Sequence, residues 1–135
     1  MIKITDLKPG DIVSVRYEDM EREGVVTDTN LGDGMVCIDN GVQEFWYSPE
    51  DLTPIPLTED RLVNTLGFEQ EEHEDGVKYK RGPFRVLVFD PGTLSDMEIW
   101  YREDHRRFRH PLFVHELQNH YLQMTKVPLE GVLAR

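Results

Sequence analysis

Pro54 and Pro56, two residues apart in Thr53-Pro54-Ile55-Pro56, constrain this chain more than any other feature. Neither can donate a ladder hydrogen bond, and each pushes the residue before it, Thr53 or Ile55, into extended geometry. No regular element runs through such a pair, so Phe45–Glu59 reads as a stiff hinge. Before it, Phe45, Trp46 and Tyr47 end a strand-like run, since aromatics suit a pleated, half-buried surface. Ser48–Leu52 then reads as one helical turn, with proline preset for the first helical position and acids at the positive end of the dipole. Beyond the prolines, Thr58 is placed to cap a helix, with Leu57 and Leu62 as its hydrophobic staple. Two modules are expected, 1–55 and 56–135.

Charge divides at the same place. Residues 1–57 carry 12 acidic and 4 basic side chains, residues 58–135 carry 14 and 11, and the whole chain is at −11. An acidic first half repels phosphate backbones and anionic lipid, which disfavours nucleic acid and membrane as partners. Each half is small enough to be marginal alone, so the halves are expected to pack together or to form a homo-oligomer. The single cysteine, Cys37, excludes an internal disulfide and a cysteine-based zinc site. No apolar leader or membrane-length run is legible, and the expected location is cytoplasmic.

In the first half, Val13, Val15 and Tyr17 alternate with polar residues in Asp11–Asp19, the period-2 signature of a half-buried strand. Gly24–Thr27, Met35–Ile38 and Val42–Ser48 read as further strands, the last two separated by the hairpin signal Asn40-Gly41. The runs PGDIVSVRYED, GVV, VCIDNG and EFWYSPEDLTPI resemble the Tudor-type, SH3-like barrel pattern over about 50 residues. That resemblance implies a small closed all-β barrel. Tudor domains that read methylated side chains use an aromatic cage. Here Tyr17 stands near the first turn, whereas Asn40 and Glu21-Arg22-Glu23 stand where aromatics are expected, so the cage is incomplete. Tyr17, Trp46 and Tyr47 are the candidate partner-binding aromatics.

In the second half, Thr58–Gly67 reads as a short helix with Leu62, Val63 and Leu66 on one face. Phe68–Glu72, Val77–Arg81, Phe84–Phe89 and Met97–Glu103 read as strands, and Asp104–His110 as a polar turn running into a short strand. A longer helix is expected from Pro111 to about Lys126, its stripe Val114, Leu117, Tyr121 and Met124. The expected fold is thus an SH3-like barrel followed by a small α+β domain: helix, antiparallel meander of about four strands, helix. The segments PLTEDRLVNTLGFE and VHELQNHYLQMT resemble small uncharacterised bacterial proteins, some associated with mobile elements. Their helix pattern H-x-L-Q-N-x-Y is met by His115, Leu117, Gln118, Asn119 and Tyr121. No activity accompanies that pattern.

The catalytic signatures that the chain approaches are each incomplete. HELQNH approaches the zinc-protease HExxH, but Asn119 takes the fourth place, and His120 lies about 140° around the helix from His115. The polar residues of this helix are expected to hold it against neighbouring backbone. Asp28, Asn30 and Asp33 approximate a calcium loop but lack its central glycine and closing glutamate. No serine elbow, P-loop or dinucleotide fingerprint is present. Arg102, Arg106, Arg107 and Arg109, with His105 and His110, form the one basic cluster. It is expected to dock either onto the acidic first half of the chain or onto an acidic partner, with nucleic-acid binding as the alternative use. The sequence thus points to a non-enzymatic protein-binding or adaptor module, without cofactor or metal, whose partner is another protein. A nucleic-acid accessory factor and an enzyme are the second and third readings.

Overall fold

The computed structural model describes residues 2–131. Among these residues, ten strands form two antiparallel five-stranded sheets, accompanied by one α-helix. The first sheet contains β1 (Ile12–Tyr17), β2 (Met20–Asn30), β3 (Met35–Asp39), β4 (Glu44–Tyr47) and β5 (Leu52–Thr53), in the order β4-β3-β2-β1-β5. The second is a plain meander, β6 (Glu69–His73), β7 (Gly76–Arg81), β8 (Phe84–Val88), β9 (Met97–Tyr101) and β10 (Asp104–Phe108). The helix, α1 (Val114–Thr125), follows it.

The expected closed SH3-like barrel followed by a two-helix α+β domain is therefore corrected. The outer strands β4 and β5 of the first sheet do not pair with each other, so its ladder stays open. The first expected helix is short, residues 59–65, and its last five residues wind as a π-helical turn, Arg61–Thr65. Thr58 Oγ1 accepts from the Arg61 amide at 3.1 Å, and the Leu66 amide reaches back to Arg61 O at 2.9 Å. Asn64 and Thr65 are weak helix formers, and Gly67 at φ 74° stops the segment before a stable helix can grow. The meander gains a fifth strand because the basic run pairs in full along β9, from Asp104 opposite Tyr101 to Phe108 opposite Met97.

Two apolar clusters fill the molecule. Val13, Val15, Val26, Val36, Ile38, Tyr47 and Leu52 pack under the first sheet. The larger cluster sets Tyr79, Phe84, Val86, Met97 and Ile99, on one face of the second sheet, against Leu62, Leu66, Val114 and Leu117. Consecutive strand residues point to opposite faces, yet Ile12 and Val13 are both buried. Val13 belongs to the first cluster and Ile12 to the second, so the start of β1 is covered on both sides. There the halves meet. The proline hinge is strapped beside this joint: Val114 N donates to Ile55 O at 2.8 Å, and Leu57 N to Leu112 O at 3.0 Å.

Candidate functional site

Two constellations gather the residues singled out by sequence. The first is the joint made by α1. Gln118 is fully buried. Its Oε1 accepts from Ile12 N, and its Nε2 donates to Gly10 O and Leu129 O, each at 2.8 Å. Asn119 Nδ2 donates to Asp6 O at 2.8 Å, while its Oδ1 accepts from Lys8 Nζ at 2.7 Å. Leu117 and Tyr121 turn the other way, into the second sheet's core, where Tyr121 lies 4.6 Å from the Phe84 ring. His115 is buried with its Nδ1 unpartnered, and burial holds its pKa below the ordinary histidine value. The H-x-L-Q-N-x-Y residues thus fasten one helix to the first half's leading segment and to the sheet beneath.

Lys8 and Asp11 complete this joint, and sequence reasoning passed over both. Asp11 sits in a turn signal, where an exposed carboxylate is the usual case. Here it is buried, accepts from Lys8 N at 3.0 Å and pairs with Lys8 Nζ. Burial outweighs the lysine and pushes its pKa from 3.8 up to about 6. The folded chain therefore binds this proton more tightly than the unfolded chain. The site's stabilisation is complete below about pH 4 and is lost as pH rises through 6, a difference of about 3 kcal/mol. Burial lowers the pKa of His115 and His120, which act in the opposite sense as pH falls. Comparison with Asp11→Asn cancels their share. By urea unfolding, wild-type stability minus that of Asp11→Asn is expected to grow by about 3 kcal/mol from pH 8 to pH 3; a flat difference would refute the assignment.

The second constellation is aromatic and lies at the β4 edge of the first sheet. Tyr17 and Phe45 are 5.6 Å apart, and Phe45 meets Tyr47 edge-on at 6.2 Å. Gln43 Nε2 donates to Tyr17 Oη at 3.0 Å, joining the β3–β4 turn to the end of β1. Tyr47 itself is buried, its hydroxyl accepting from Asn40 Nδ2 at 2.9 Å. Asn40 Oδ1 also accepts from the amides of Val42 and Gln43, so this buried side chain shapes the turn. Phe45 and Trp46 are 43% and 45% exposed on opposite faces of β4. The Arg22 guanidinium lies 5.9 Å from the Tyr17 ring centre. Sequence reasoning did not single out Phe45, although the alternation in Glu44–Tyr47 places it on Tyr47's face.

The four arginines are not gathered on one surface. Strand alternation sends Arg106 to the helix side, where it donates to His120 Nδ1 at 2.6 Å and Gln123 Oε1 at 2.8 Å. Arg107 lies on the other face, gripping Asp96 through two bonds of 2.8 and 3.0 Å. Arg102 occupies the β9–β10 turn at φ 57°, its guanidinium 5.1 Å from the Tyr101 ring centre, and Arg109 is exposed beyond β10. Trp100 stands between Arg85 and His105 on the outer face, stacked on His105 at 4.4 Å. Among the described residues no group of three or more His, Cys, Asp or Glu could hold a metal ion, and no helix is long and apolar enough to cross a membrane. No protein-family model, curated protein or solved structure matches the chain.

Proposed function

We propose that this protein is a non-enzymatic protein-binding module that takes an extended segment of its partner along β4. The observation that carries this reading is the edge itself. Among the described residues β4 pairs only with β3, so its other side has backbone groups free of described partners to continue the sheet, and Phe45 and Trp46 flank it on opposite faces. Exposed Val42 precedes the strand. An added strand gains main-chain hydrogen bonds from such an edge and specificity from alternate side chains. Tyr17 with Phe45 supplies aromatic surface at this end.

Arg106 and Arg107 are both engaged within the chain, which favours protein over nucleic acid as the partner. Affinity capture with and without nuclease, using wild type and Phe45→Ser/Trp46→Ser, tests the reading. Protein capture that survives nuclease is expected, with apparent affinity about tenfold or more lower in the double variant, as for loss of a central aromatic anchor. Capture unaffected by the double substitution, or abolished by nuclease, would overturn it.

A further inference from the structure

The second sheet ends in two strands of opposite character. β6 (Glu69–His73) has three acids and no lysine or arginine, and its turn adds Glu74 and Asp75. β10, with its flanks 102–110, has four arginines and two histidines against Glu103 and Asp104. Part of this charge is neutralised internally. Glu71 faces Lys78 and Lys80, and Arg107 faces Asp96 and Glu98. Among the described residues, Glu69 and Glu72 form no ion pair on β6; at the β10 edge Arg102, Arg106 and Arg109 form none either, nor do Glu103 and Asp104, so the unpaired charge is negative on β6 and still positive, by one, at β10. Each strand pairs on one side only, and no other described backbone element bonds to its free side.

We infer that the occupant of these edges is a second copy of this chain, joined head to tail, the β10 edge of one copy against the β6 edge of the next. Charge selects this arrangement. A two-fold contact between identical edges would set β6 on β6 or β10 on β10, with like charges opposite, which is destabilising. The heterologous contact places the unpaired acids of one copy beside the unpaired arginines of the other. Topology then sets the strand direction. All four pairings in this sheet are antiparallel, so its first and fifth strands run the same way. Copies that keep their helices on one side must therefore join through a parallel β10–β6 ladder. The junction does not close on itself as a two-fold dimer does, so association continues to a ring or a row. This surface is distinct from the β4 edge, and either reading can fail alone.

Sedimentation equilibrium from about 10 μM to 1 mM protein is the test, since a single five-residue ladder is smaller than a standard stable interface. Wild type is expected to self-associate at 50 mM salt, with an association constant about tenfold lower at 500 mM. Glu69→Lys/Glu72→Lys reverses the unpaired charge of strand β6 and His105→Glu/Arg109→Glu that of the β10 edge, so each variant alone should lose association about tenfold or more. Mixed in equal amounts, the two variants should associate again, because every junction then has opposite charge. Circular dichroism of each variant confirms that it is folded. A wild type monomeric throughout, self-association unchanged in either variant, or failure of two folded variants to associate on mixing would each overturn the proposal.

Discussion

Gln118→Ala is expected to lower unfolding stability by about 3–6 kcal/mol, from about one to two kcal/mol for each of three backbone partners left unpaired. Its side chain is the only described group bonded at once to the start of β1, the preceding turn and the segment after α1. Removing it orphans Ile12 N, Gly10 O and Leu129 O in a site with no exposed area at Gln118. A domain of this size holds about 5–15 kcal/mol in total. The loss should appear as a lower urea midpoint and faster hydrogen exchange at the Ile12 amide. Gln118→Glu keeps the acceptor for Ile12 but loses both donors and buries a charge, so it should rescue little. A loss below about 1 kcal/mol in the alanine variant would mean that the joint is held by apolar contact alone.

Gly76→Ala should cost at least about 3 kcal/mol, the upper range for overpacking. A Cβ there would collide with Val88 O and stand 3.1 Å from Val88 C, in the neighbouring β8 strand. Backbone in a paired ladder cannot step aside as a flexible side chain does. Relief requires opening the β7–β8 pairing where Val77 opposes Val88, above the core that Val88 helps to fill. Gly34 provides the contrast. It has φ +67° and nothing within 4 Å of where an added methyl would stand, so Gly34→Ala should cost only the left-handed backbone penalty, about 1 kcal/mol. Thermal unfolding of the two variants side by side separates close approach from conformational preference.

The sequence made local elements legible where period and punctuation agreed. β1 followed from Val13, Val15 and Tyr17, the β3–β4 turn from Asn40-Gly41, and α1 from the stripe Val114, Leu117 and Tyr121. It misled where charge hid a strand. Arg106 and Arg107 look like a solvated turn, yet their long stems lie on opposite faces of β10 while their charges find partners across the chain. At Thr58–Gly67 the capping signal and the Gly67 stop were legible, but not that the segment between them winds as a π-helical turn over Arg61–Thr65. Closure of the first sheet is a matter of which distant strands pair, and nothing local in Leu52–Thr53 specifies that. At the candidate sites, the helix motif was visible as a pattern. Its partners Gly10, Ile12 and Asp6 were not, because they lie more than a hundred residues away.

That separation has a consequence for synthesis. Ile12 and Gln118 are 106 residues apart. At about 5–20 residues per second, β1 leaves the ribosome about 5–20 s before the side chain that satisfies its first amide exists. Throughout that interval the Ile12 side chain also lacks the sheet and helix that cover it. The nascent first half is thus most adhesive while the second is still being made, and translational pauses between residues 56 and 118 lengthen the exposure.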